Sequence, residues 1–300
     1  MADKNNTASK TSKWVKLLLK IVITTVCLWY VAGKIDFAAA WSIVKNANST
    51  YLLLAIPAFV ISKIIAAIRL RIYFKNIDLH LSLWQNIKLY WLGMFYNLFL
   101  PGSIGGDAYK VILLKKKFNA PYKKTTAAVL LDRFSGLLGL GLILSVYSSI
   151  VLDNTTYVIA IAGGSLLAIV LLNFIVNQWL KDFISSYFPT LLLGILVQSF
   201  QVLCAYLIIA ALGIGVNVSE YIFIFLVSSV VSVLPLTIGG LGIREFVFLE
   251  GSNLFGLTQE TSVVISLLFY LITLLTSAAG LVYVFNDPLL EKDQDALLQP

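Results

Sequence analysis

The sequence predicts an all-α polytopic membrane protein with about six full spans and two inverted re-entrant hairpins; eight full spans is the alternative. Three observations lead there. Of 300 residues, 59% are hydrophobic and only 12% charged, whereas soluble domains hold about 45–50% apolar and about 25% charged residues. Apolar runs recur along the chain at the length of about 20 residues that a bilayer demands. Two of these runs are broken by matching segments, LPGSIGGDAYK at 100–110 and LPLTIGGLGIR at 234–244.

Taken in order, the first span is expected at about 14–32, entered by Lys10, Lys13 and Lys16. The long apolar run and the lack of an A-x-A-like site favour a retained span over a cleaved signal peptide. DFAAAWSIVK at 36–45 is a short amphipathic piece for the interface. The second span covers about 51–68, with Lys63 near enough its basic end to snorkel toward headgroups. The basic, aromatic stretch 69–88 is expected at the interface. A hydrophobic stretch at 84–100 leads into the first glycine segment, and the basic loop KKKFNAPYKK follows. Full spans are expected at about 125–151, 157–177 and 189–212. A run at 219–234 leads into the second glycine segment, and the last span is 261–285. Residues 1–285 thus read as one transmembrane domain, and 286–300 as a polar tail.

Charge sets the orientation. Residues 1–133 carry 19 of the 22 Lys and Arg but 5 of the 15 Asp and Glu. Basic loops face the cytoplasm, so the N-terminal arm, the 69–88 region and the 115–124 loop belong there, in a cell membrane and with both termini cytoplasmic. The anionic leaflet explains this basic bias, and no nucleic-acid partner is called for. The chain leaves the basic side after Lys88 and is back by Lys115, too few residues for two crossings. A hairpin that breaks at Pro101–Gly102 resolves this. Three full spans later the second hairpin enters from the other side, where 213–219 and 251–261 contain no Lys or Arg.

The two segments share L-P-x-[S/T]-I-G-G-x-x-x-[K/R] at seven of eleven positions, 134 residues apart. Inverted, interrupted helices point to a transport site near the bilayer midplane. Proline ends a helix, and the freed backbone groups must be buried or line a wet cavity. Helices restarting after Gly106 and Gly240 would offer N–H groups to an anion. Lys110 and Arg244 follow one turn in, Arg as a bidentate fork for phosphate and Lys as a point charge. Asp107 and Glu245 would balance these cations or meet a cationic headgroup. Asp132 and Arg133, adjacent on one helix, should find different partners. The candidate binding residues are therefore Ser103, Gly105, Gly106, Asp107, Lys110, Asp132, Arg133, Thr237, Gly239, Gly240, Arg244 and Glu245. Gln198, Gln201 and Asn97 read as interhelical hydrogen-bonding residues. Gly136, Gly139 and Gly141 read as close helix packing. Cys27 and Cys204 read as small apolar residues. With a single histidine, His80, no metal or other cofactor is expected.

NLFLPGSIGGDAYK, LLDRFSGLLGL and LPLTIGGLGIREFVF, in that order, resemble the lysylphosphatidylglycerol synthase transmembrane-region family over about 14–285. Carried over position by position, the resemblance marks Gly102, Gly105, Gly106, Gly239, Gly240 and Gly242. It also marks Asp107, Asp132, Arg133, Arg244 and Glu245, and places Lys110 where relatives commonly carry a basic residue. In the multiple peptide resistance factor this region accompanies an aminoacyl-transferase domain and is held to flip the aminoacylated lipid. Only a polar tail of 15 residues follows Phe285 here, so the resemblance implies lipid translocation without aminoacylation. The expected partner is a phospholipid or polyprenyl-linked lipid, with a second copy of the chain or a lipid-modifying enzyme left open. A membrane-embedded transferase using Asp107 and Asp132 as bases is the enzymatic alternative. An accessory scaffold is the structural one.

Overall fold

Long apolar runs without a strand period become helices, since only a helix satisfies its own backbone within lipid. The computed structural model describes residues 4–99, 105–234, 236, 237 and 239–290. Among them every regular element is helical: α1 (Lys4–Ala32), α2 (Phe37–Lys45), α3 (Ser49–Lys75), α4 (Leu83–Phe99), α5 (Gly105–Phe118), α6 (Tyr122–Val151), α7 (Thr155–Trp179), α8 (Tyr187–Ala211), α9 (Val218–Val233), α10 (Ile243–Phe255), α11 (Gln259–Ala278) and α12 (Val282–Phe285). Short 3₁₀ turns precede α8 and join α11 to α12.

Among the described residues, five helices are long and apolar enough to cross a membrane: α3, α6, α7, α8 with its preceding turn, and α11 continued to Phe285. A sixth is reached if α1 and α2, which bend by 86° from one another, are counted as one span; the sequence placed that span on 14–32 alone and α2 at the interface. The bend follows Gly33 and is held by Asp36, whose carboxylate accepts the Ala38 and Ala39 N–H groups to cap α2. Asn48 and Asn154 cap α3 and α7 in the same way. Pro57 sits inside α3 without ending it.

The four helices flanking the glycine segments are shorter. At about 1.5 Å per residue, the 17 residues of α4 reach about 25 Å and the 13 of α10 about 20 Å, short of a hydrocarbon core of about 30 Å. Each pair turns back on itself. Near the start of α4, Gln85 donates to the Leu289 carbonyl, and at the end of α5 Lys117 pairs with Asp287, so both hairpin ends lie beside the segment after α12. In the other hairpin, Phe223 near the start of α9 and Phe255 at the end of α10 stack edge to face at 5.9 Å. That hairpin opens where Asn48 meets Ala211 and where the Asp36 N–H meets Glu260. Since α3 runs from Asn48 to the basic 75–88 side, the two hairpins open on opposite sides. Pro101, Gly102 and Pro235 lie outside the described residues.

One correction concerns the stretch 69–88. Residues 69–75 continue α3 into the bundle, and Arg69 is only 4% exposed. The guanidinium is held inside by the Asp132 carboxylate, a partner on a different helix that local composition does not reveal.

The apolar core has two main parts. One gathers Phe59, Ile208, Phe225, Phe248 and Phe269; the other gathers Leu70, Phe74, Leu89, Leu114 and Phe183. Helix α3 contributes residues 55–59 to the first and 70–74 to the second. Its middle turns, Lys63 to Arg69, face a cavity between them. The glycines of α6 set the helix spacing: a Cβ on Gly139 would stand 2.5 Å from the Gly194 backbone of α8, and Gly141 accepts a 3.1 Å bond from Ser165 of α7.

Candidate functional site

A cavity of about 340 Å³ lies between the two hairpins. It receives Asn97, Asp107 and Lys110 from the first hairpin and Ser229, Ser232, Gly239 and Arg244 from the second. Helices α3, α6, α8 and α11 close it with Lys63 and Arg69, Asp132 and Arg133, Gln198 and Gln201, and Thr273 and Ser277. The hairpins touch near its rim. Gly239, at φ +62°, lies so close to Leu98 that a Cβ there would stand 2.7 Å from the Leu98 side chain. That left-handed φ favours glycine.

Six of the twelve expected residues line this cavity: Asp107, Lys110, Asp132, Arg133, Gly239 and Arg244. Asp107 joins two elements. Its Oδ1 accepts from Lys110 Nζ at 3.0 Å, and its Oδ2 accepts from Arg133 Nε. Asp132 accepts from Arg69 Nε at 2.7 Å. The adjacent Asp132 and Arg133 thus do take different partners, and the residue that reaches a hairpin is the cation, through Asp107. Arg244 Nη2 donates to Ser232 Oγ at 3.0 Å, and its guanidinium lies 4.9 Å from the Phe269 ring and 5.9 Å from that of Phe225. Lys110 Nζ also lies 4.7 Å from the Tyr90 ring. Gly93 makes room for the Lys110 stem: a Cβ at that position would collide with Lys110 Cε.

Five of the other expected residues are described and do not line the cavity. Gly106 allows α5 to press against the Gly93 backbone of α4, and Gly105 starts α5. Thr237 is buried, and Gly240 occupies a left-handed turn at φ +82°. Ser103 lies outside the described residues. Glu245 is spent on structure, since Oε2 accepts the Gly242 N–H at 2.7 Å and Oε1 accepts the Ser266 hydroxyl at 2.8 Å. The Gly106 N–H is likewise taken, by Asn97 Oδ1 at 2.9 Å. Both broken helices therefore give an N-terminal N–H to the protein's own side chains, and charged side chains carry the cavity's chemistry.

Two cations were not among the candidates. Arg69 belongs to the stretch read as interfacial, and Lys63 was expected to snorkel. Instead both line the cavity, and the Lys63 ammonium sits 4.4 Å from the Phe59 ring. Six residues apart, they stand about 120° apart around α3, so helical spacing did not link them; the available signal was a lysine inside an apolar run. Gln198 does bond across helices, donating to the Gly136 carbonyl at 3.2 Å, while also lining the cavity. No group of three or more His, Cys, Asp or Glu that could hold a metal occurs among the described residues.

Beside this polar cavity runs an apolar groove of about 980 Å³ between α6 and α7. Leu137 borders both. On α9 the neighbours Ser229 and Val230 border the cavity and the groove respectively.

Comparison with known proteins agrees with this architecture. Over 123 residues the chain is 31% identical to a UPF0104 membrane protein of Pyrococcus horikoshii, a stretch covering 40% of this chain. The match spans only 36% of that relative's length. The sequence profile of the Lysylphosphatidylglycerol synthase TM region matches residues 17–191 and 179–280. With nearly the whole helical bundle covered, the chain belongs to the lysylphosphatidylglycerol synthase transmembrane-region family.

Proposed function

We propose that the protein moves a lipid with a phosphate-containing headgroup between the leaflets of the cell membrane, the headgroup passing through the cavity while the tails stay in lipid. The observation that carries this reading is the cavity between two oppositely opening hairpins, lined by Lys63, Arg69, Lys110, Arg133 and Arg244 against two carboxylates. Intramembrane charges are costly and mark substrate paths. A volume of about 340 Å³ falls in the range of about 300–1,000 Å³ typical of small-ligand sites. The shared wall at Leu137 supports a route in which a headgroup occupies the polar side while a hydrocarbon chain follows the apolar groove. The side bearing the basic 75–88 and 115–124 loops is read as cytoplasmic by charge.

The two carboxylates that would serve a transferase as bases are engaged in ion pairs, Asp107 through both oxygens. That favours translocation over catalysis.

Reconstitution in liposomes with acyl-labelled lipids of several headgroup classes tests the proposal. At least one phosphate-bearing class should change leaflets, and Lys110→Gln or Arg244→Gln should slow it about tenfold or more, the loss expected for one charge-assisted contact. No movement of any class would sink the reading. Full movement in both variants would favour a scaffold whose cavity charges are structural.

A further inference from the structure

We propose that this cavity takes a phosphate group carrying two or more negative charges, a phosphomonoester or diphosphate, and discriminates against zwitterionic and net-cationic headgroups. The inference rests on the lipid-phosphate reading above and narrows its substrate class. Five cations against two carboxylates leave three positive charges uncompensated along the lining. Counting Glu245, which lies next to Arg244 but outside the lining, still leaves two.

The surplus is localised. Asp107 and Asp132 pair with Lys110, Arg133 and Arg69, which leaves one surplus positive charge in that cluster and two on Lys63 and Arg244. Lys63 and Arg244 have no carboxylate within ion-pair distance among the described residues; they face the rings of Phe59 and Phe269. Donors are also left over. Arg244 Nη1 and Arg69 Nη1 are buried without an acceptor among the described residues. Cations enclosed in a bundle without counter-charge are strongly unfavourable, and an anion with several charged oxygens removes that cost. Guanidinium forks fit such oxygens in pairs. A headgroup amine, by contrast, would meet carboxylates already paired with Lys110, Arg133 and Arg69.

Binding to the purified protein tests this, with inorganic pyrophosphate and glycerophosphocholine as soluble probes. Nanodiscs containing phosphatidic acid or phosphatidylcholine supply the lipid arm. Pyrophosphate, phosphatidic acid or both should bind, and the zwitterionic probes should bind at least about thirtyfold more weakly, as expected when a buried charge loses its partner. Lys63→Gln and Arg244→Gln should each weaken the anion by a similar factor, and Arg244→Lys should restore part of the loss. Should Arg244→Gln fail to fold, Lys63→Gln and Arg244→Lys carry the test. Binding of phosphatidic acid without pyrophosphate assigns the site to a lipid; the reverse assigns it to a free anion. Equal binding of pyrophosphate and glycerophosphocholine, or binding unaffected by these variants, overturns the inference. Anion binding without lipid movement in liposomes would remove the transport reading alone. Lipid movement indifferent to headgroup charge would remove this one alone.

Discussion

At the scale of single residues, the site is a balance of charges held by geometry. Asp132 keeps the Arg69 guanidinium inside the bundle, and the glycines at 136 and 194 leave it space: a Cβ on Gly136 would stand 3.2 Å from Arg69 Nη1. Removing one member of a buried ion pair leaves a bare charge, at a cost of about 3–5 kcal/mol. Asp132→Asn should therefore lower stability by that order, read from thermal unfolding in detergent. A second change, Arg69→Met, should recover part of the loss by removing the orphaned cation. If Asp132→Asn alone unfolds like the parent protein, the pair is not what holds Arg69 in place. The role of Asp107 was only half legible in the sequence. Its position in the repeated segment and its nearness to Lys110 could be seen, but its bond to Arg133 crosses 26 residues and two helices.

Among elements, close approach at glycine governs how helices meet. α6 lies against α8 at Gly139 and Gly194, where any side chain would enter the opposing backbone. Gly139→Ala should destabilise the bundle by about 1–3 kcal/mol, the range for overpacking a tight contact. The same substitution at Gly163, whose Cβ would meet nothing within 4 Å, serves as the control. Equal melting temperatures for the two variants would remove this account of α6–α8 packing. The spacing Gly136, Gly139, Gly141 announced tight packing in the sequence, though the choice of partner helix did not follow from it. The broken helices follow a similar rule. Pro and paired Gly marked where they break, while the capping of their new ends by Asn97 and Glu245 emerged with the fold.

At the scale of the whole molecule, the two hairpins open on opposite sides and meet at Leu98 and Gly239. In a cysteine-free background, Lys116→Cys and Asn253→Cys occupy exposed positions at the mouths of the first and second hairpin. An impermeant thiol reagent should label Lys116→Cys only from the cytoplasmic side and Asn253→Cys only from the other. Labelling of both from one side would refute the inverted arrangement and, with it, the central placement of the cavity. Cationic surplus at the centre and basic loops on one side are separate features. The loops carry the orientation signal, and the cavity cations belong to the lining.

The sequence alone established the helical membrane class and most of the places where helices run and break, and its motifs offered twelve candidate residues, of which the fold brings Asp107, Lys110, Asp132, Arg133, Gly239 and Arg244 to the cavity. These are local signals: hydrophobic length, proline and glycine chemistry, and charge placed where lipid should be. Only the tertiary structure decided which charges pair, that Lys63 and Arg69 join the cavity, and that Glu245 serves as a cap beside it. The physical reason is that a charge within a bilayer is placed by partners on other helices, and those partners are far away in sequence.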